Sequence, residues 1–312
     1  MANNICGVDV SKAQLDACFG CDGTFARFEN NADGIARLAS ACRERAVELV
    51  AMEATGNFER LPFMLLSEGG IACAIANPRS VRRYDEAMGI LEKTDKIDAS
   101  VIVRFAQAFD MKPDPVPTAA QQLLKALVGR LKQVTNDLTV QQQRRSAMTD
   151  TTALESIGEV IALLKRQSKK LEGEIGSMID EDPLWSKLDE TFRTVKGVAG
   201  RTVARLMADL PEIGTRSGKA ISKLAGLAPI ANDSGKSSKK RHVKAGRASV
   251  RSILYLVAGI AAKYDQSLAD FKNRLLKAGK PKMVARVALA HKLLIRLNAK
   301  ARETREKFAS AT

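Results

Sequence analysis

Ile5-Cys6-Gly7-Val8-Asp9-Val10, with Leu15 to Phe19 and Thr24 to Phe28 behind it, decides how the chain begins. The three apolar runs are short, and Cys21-Asp22-Gly23 between the last two is a turn signal, so together they read as a β-meander. Outward from the meander, Asn31 to Ala46 carries Ile35, Leu38 and Cys42 along one side of a helix. Leu49-Val50-Ala51-Met52 is a second buried type of strand. Phe58 to Ser67 is a short helix closed by Gly69-Gly70, and Ile71 to Ile75 is a strand ended by Asn77-Pro78. A meander followed by helix, strand, helix, strand, helix is an α/β arrangement in which antiparallel strands precede parallel units.

That order predicts an RNase H-like sheet rather than a Rossmann sheet, and it gives four carboxylates a common place. Asp9 sits in the middle of an apolar strand, which is costly unless its side chain emerges where charge compensates it. Glu53 ends the second apolar strand; if the two strands run parallel as neighbours, both acids share one edge of the sheet. Asp95 and Asp98 stand in Lys93-Thr94-Asp95-Lys96-Ile97-Asp98-Ala99-Ser100, and a helix opening there puts both on one face. Each acid also has a plain reading, Asp9 in a strand-end salt bridge, Asp95 and Asp98 as helix-start acids. Their joint occurrence favours an oxygen-only site for Mg²⁺ or Mn²⁺, two ions of which suit phosphodiester chemistry.

The remainder is helical. Pro113, Pro115 and Pro117 punctuate a linker, after which Leu124, Leu127, Leu131, Val134 and Leu138 follow a heptad spacing. Leu154, Ile157, Ile161 and Leu164 repeat it, and Leu171, Ile175 and Met178 resume it. This coiled-coil seam could close within the chain or between copies. Beyond Asp182-Pro183, Gly197 and Gly200 lie in a turn between helical stretches, like a helix-hairpin-helix; such glycines admit a phosphate or simply make the turn. Lys236, Lys239, Lys240, Arg241, Lys244, Arg247 and Arg251 then form a basic run without an acid, a loop or ribbon pinned at both ends that suits nucleic acid. Lys12 and Lys93 are further candidates for phosphate or carboxylate partners. Three domains are expected: α/β over 1–112, coiled-coil helices over 113–182 and an all-α region over 183–312.

The formal charge of +15 and a pI near 9.7 point to a polyanionic partner. Aromatic residues make up only 4%, which argues against recognition by base stacking. No apolar run reaches the roughly 18 residues of a membrane span, and the N-terminus lacks the layout of a signal peptide. Five cysteines suit a reducing compartment, and Cys18 and Cys21 read as small residues at a strand end rather than zinc ligands. A cytoplasmic, nucleoid-associated protein without membrane partners is expected.

Gly7-Val8-Asp9-Val10-Ser11-Lys12, Glu53-Ala54-Thr55-Gly56 and Lys93-Thr94-Asp95-Lys96-Ile97-Asp98-Ala99 together resemble the RuvC-like DEDD domain of a family of bacterial insertion-sequence transposases. Leu224-Ala225-Gly226-Leu227-Ala228-Pro229, Asp233-Ser234-Gly235 and Lys244-Ala245-Gly246-Arg247 resemble that family's C-terminal transposase domain. The pilin-gene inversion recombinases are related to it. The resemblance implies that Asp9, Glu53, Asp95 and Asp98 bind the catalytic ions and that Ser234 is a nucleophile forming a phosphoserine link to a DNA 5′ end. It also implies a structured guide RNA and a homo-oligomer, dimer or tetramer, acting on DNA. Two alternatives stay open: a hydrolytic junction resolvase using the same acids, and a non-enzymatic DNA-bridging protein.

Overall fold

The computed structural model describes residues 4–20, 22–90, 92, 94–231, 233–234, 237–238 and 241–311. The chain divides after Pro117 into two compact units.

The first unit contains β1 (Ile5–Val10), β2 (Gln14–Phe19), β3 (Phe25–Glu29), α1 (Ala32–Glu44), β4 (Leu49–Glu53), α2 (Arg60–Glu68), β5 (Cys73–Ala76), α3 (Pro78–Ala87) and α4 (Asp95–Ala108). Its strands make one mixed sheet in the order β3-β2-β1-β4-β5. The first three pair antiparallel, whereas β1–β4 and β4–β5 are parallel. This agrees with the order expected of an RNase H-like domain.

Both faces of the sheet are covered, and the strand period of two sorts the side chains between them. Cys6, Val8 and Val10 of β1, Leu15 and Phe19 of β2, and Val50 and Met52 of β4 pack with Ile35 and Leu38 of α1 and Leu66 of α2. Ile5 of β1 and Leu49 and Ala51 of β4 face the other way, into a core with Val81 of α3 and Ile102 and Phe105 of α4. Counting on by twos, Gly7 and Asp9, and likewise Glu53, belong to the face that α4 covers.

The second unit is built of α5 (Ala119–Ser146), α6 (Thr151–Glu181), α7 (Pro183–Arg193), α8 (Gly200–Asp209), α9 (Gly218–Leu224), α10 (Ala248–Tyr264), α11 (Gln266–Lys277) and α12 (Lys282–Ala311). Between α9 and α10 the described residues form four two-residue strands, β6 (Pro229–Ile230), β7 (Asp233–Ser234), β8 (Ser237–Ser238) and β9 (His242–Val243). The heptad stretches pack on each other as a hairpin inside the chain. Its root is firm: Leu124, Val128, Leu131 and Val134 of α5 and Leu171, Ile175 and Ile179 of α6 share one core with Trp185, Phe192, Leu206, Leu254 and Leu293. Toward the tip, Leu138, Leu154 and Ile157 are only half-buried. The hairpin therefore stands on the same core as the C-terminal helices. Among the described residues no helix is long and apolar enough to cross a membrane.

Candidate active site

Asp9 is set in place by its neighbours on β1. A Cβ on Gly7 would lie 2.5 Å from the Ala99 carbonyl oxygen and 2.7 Å from the Val103 nitrogen, so α4 rests directly on the strand there. Two residues on, Asp9 faces the turn of α4 that precedes Ala99, where Asp95 and Asp98 stand. Thr94 caps that helix, its Oγ1 accepting from the Ile97 N–H at 3.3 Å. Acids in a first turn also complement the partial positive charge of the helix end.

Glu53 follows Met52, which is opposite Val8 in the parallel β1–β4 register, so Glu53 lies one step along from that pair, as Asp9 does. The loop after it is pinned rather than loose. The Glu59 carboxylate accepts from the backbone N–H groups of Thr55 at 3.1 Å and Asn57 at 2.9 Å. The expected sharing of one sheet edge by Asp9 and Glu53 thus follows from the strand pairing.

Two members of this neighbourhood escape a reading of the sequence. Asp16 on β2 is directly opposite Asp9, and Arg27 on β3 is directly opposite Asp16. Asp16 is only 5% exposed. Arg27 Nε donates to Asp16 Oδ1 at 2.6 Å, and its Nη2 donates to Asp95 Oδ2 at 2.7 Å. The guanidinium therefore ties the sheet to the start of α4. Burial, and then the charges of Asp98, Asp16 and Asp95, push the Asp9 carboxyl above its ordinary pKa, while a hydrogen bond from the Val10 N–H opposes them. Among the described residues no three acid, histidine or cysteine side chains close around a single point as metal ligands would. Lys12 is exposed in the β1–β2 turn, and Lys93 lies outside the described residues.

The basic stretch is a ribbon. Pro229 and Ile230 pair with Val243 and His242 at its base, and Asp233 and Ser234 pair with Ser238 and Ser237 farther out. Ser234 is described by its backbone; Gly235, Lys236, Lys239 and Lys240 lie outside the described residues, as does Cys21. Arg241 and Lys244 are exposed.

Arg247 and Arg251 have partners within the protein. Both terminal nitrogens of Arg247 engage the Glu212 carboxylate, one at 2.6 Å, and one also reaches the Asp209 carbonyl at 3.1 Å. Burial works to raise the Glu212 carboxyl, yet the hydrogen bonds from Arg247 hold it below its ordinary range. Arg251 donates to the Ala245 carbonyl at 2.6 Å. Beside it, a Cβ on Gly246 would come within 2.3 Å of the Gly226 nitrogen, so the two glycines let the ends of the ribbon meet. Gly197 likewise has an internal reason to be glycine: its φ is +91°, and a Cβ would sit 2.9 Å from the Ala261 nitrogen of α10. Gly200 opens α8 beside the Arg193 guanidinium.

The chain is similar to known transposases and recombinases. A transposase family model, that of the IS110-type DEDD domain, matches residues 6–153, which hold all four candidate acids. The model of the IS116/IS110/IS902 transposase family matches residues 189–273, which hold the glycine turn and the basic ribbon. The pilin gene-inverting proteins of Moraxella bovis and Moraxella lacunata are each 26% identical to the chain over 308 residues, covering 94% of both sequences. Two separate stretches of the chain thus match transposase models of the IS110 type, and the chain is a DNA recombinase or transposase.

Proposed function

We propose that the protein cuts and rejoins DNA strands to excise and insert a mobile element, using a divalent-metal carboxylate site, a serine nucleophile and a guide RNA. The observation that carries the metal part is Asp9 on β1 beside the parallel strand that ends in Glu53, under the first turn of α4 with Asp95 and Asp98. These donors are all carboxylate oxygens, and the Asp9 carboxyl is raised first by burial and then by the neighbouring charges of Asp98, Asp16 and Asp95. Both properties fit a hard divalent cation such as Mg²⁺ or Mn²⁺. Asp9, Glu53, Asp95 and Asp98 would hold two such ions, which when bound lower the charge penalty on the attacking and leaving oxygens of a phosphodiester.

In this reading Ser234 Oγ attacks the phosphorus. The P–Oγ bond forms as the P–O3′ bond breaks, the hydroxyl proton is transferred away, and the leaving oxygen ends as a 3′-hydroxyl. The 5′ phosphate stays on the serine until a 3′-hydroxyl of the other strand attacks it and restores the free side chain. The support for Ser234 is its resemblance to the family motif and its position on β7, with Lys236, Lys239, Lys240, Arg241 and Lys244 close in sequence to supply charge for phosphates. Lys12, Lys93, Gly197 and Gly200 are proposed as further backbone contacts. A charge of +15 with 4% aromatics suits a homo-oligomer that grips nucleic-acid backbones while base pairing to a guide reads sequence. Excision and inversion need the same strand exchange and differ in how the two sites are oriented, which accommodates relatives named for inverting a pilin gene.

The test is to trap covalent adducts. Wild type expressed with its element should leave DNA attached to denatured protein, and Ser234→Ala should not. Adducts in neither, with Mg²⁺-dependent nicking kept in both, would replace this reading by hydrolysis, water taking the place of the serine.

A further inference from the structure

Asp9 and Asp16 face each other across an antiparallel pair, and like charges so placed oppose folding. Asp16 is moreover nearly sealed from water, where a carboxylate without a counter-charge is costly. Arg27 supplies the counter-charge from the next strand. It does so with one side of its guanidinium, through Nε, and this leaves Nη2 for Asp95. The planar fork of arginine can serve two carboxylates at once from a fixed position, which a lysine ammonium on a flexible stem cannot. The two ends of the link differ in freedom: the Asp16 side chain is 7% exposed, whereas those of Arg27 and Asp95 are 46% and 62% exposed. The Asp16 end is thus the anchor and the Asp95 end can let go.

We propose that Arg27, anchored by Asp16, is a positioning residue that clamps Asp95 to the sheet before a divalent ion arrives, and that the ion takes Asp95 from it. The inference rests on the metal reading above. The clamp holds the mutually repelling acids together without metal, and it competes with metal for one of them. A cation seated between Asp9 and Asp95 repels the guanidinium, which can swing outward into solvent while its Nε stays on Asp16. Ion binding is accordingly weaker than the bare acid cluster would give, and the released arginine is then free to meet a phosphate.

The experiment measures Mn²⁺ affinity by calorimetry on the full-length protein, with circular dichroism as the check on folding. R27Q should bind Mn²⁺ about 3- to 10-fold more tightly than wild type, a modest gain because the pair it breaks is half-exposed. R27K keeps a charge for Asp16 but loses the second prong, so it should shift the same way by less, and it stands in should R27Q fail to fold. K96Q, which removes an exposed charge beside Asp95, controls for net charge and should change affinity by less than about twofold. Unchanged or weaker binding in folded R27Q overturns the clamp alone, as does an equal gain in K96Q. No Mn²⁺ binding by wild type would remove both the clamp and the metal reading.

Discussion

In the α/β unit the candidate acids, with Asp16 and Arg27, stand on four strands and the first turn of one helix, and strand register fixes who faces whom. In the helical unit the basic run accompanies a ribbon of two-residue strands whose base is held through Arg247 to Glu212 and Gly226 against Gly246. On the proposed function, the difference follows from the work each charge would do. Acids that share ions must keep their mutual distances to a fraction of an ångström, so a rigid two-sided sheet serves them. Cations that neutralise phosphates need density more than geometry, and a ribbon supplies that.

The largest effect that tests this contrast is at Asp9. Asp9→Asn should lower Mg²⁺-dependent strand cleavage on the order of 10³-fold, the scale of losing charge stabilisation at the reacting centre. Its thermal transition should stay put or rise, because one of two facing like charges has gone. Cleavage that survives in a folded variant would break the comparison at its first term, leaving the acids as structural groups.

Gly7→Ala probes the frame rather than the acid. The added methyl meets backbone atoms of α4 at 2.5 and 2.7 Å, so helix or strand has to move. Overpacking of this kind costs about 1–3 kcal/mol. Cleavage measured well below the shifted transition should fall about 10- to 100-fold as Asp95 and Asp98 move with the helix. If stability drops while cleavage is intact, close seating of α4 on β1 is not what places those acids.

How much of this could be read from the sequence depended on whether a residue's partner was local. The sheet was legible because its strands are short apolar runs set off by the turn signal Cys21-Asp22-Gly23, and the elements after them are bounded by Gly69-Gly70 and Asn77-Pro78. Asp9 and Glu53 stood out because each interrupts or ends an apolar run. Asp16 and Arg27 did not. Their importance lies in the register Asp9↔Asp16↔Arg27, whose first half is set by the three-residue connection 11–13 between β1 and β2, where the Gln14 N–H donates to Ser11 Oγ at 2.9 Å. A single-residue error in that connection would turn Asp16 to the other face of the sheet. The heptads announced the long hairpin but not that its root enters the core of the C-terminal helices, since Trp185, Phe192 and Leu293 become its neighbours only through tertiary packing. Strands of two residues have no period to detect, so the ribbon was visible only as composition. Composition also counted Arg247 and Arg251 with the exposed cations, because Glu212 lies 35 residues away and the carbonyls that Arg251 meets leave no mark in sequence.

That last distinction yields the smallest predicted effect, and it sharpens the contrast within the ribbon itself. Lys244 is exposed, whereas Arg247 is a half-buried clamp with a two-pronged carboxylate partner. Lys244→Gln should leave the melting temperature unchanged and reduce the slope of log affinity for DNA against log salt by about 1, the loss of one phosphate contact. Arg247→Gln should do the reverse. It strands the Glu212 carboxylate beside the ribbon base, costs about 1–2 kcal/mol of stability, and leaves the salt slope nearly as it was, because its charge was already neutralised inside the protein. A lower slope in Arg247→Gln without loss of stability would mean that the clamp opens on DNA and that the base of the ribbon is itself part of the binding surface.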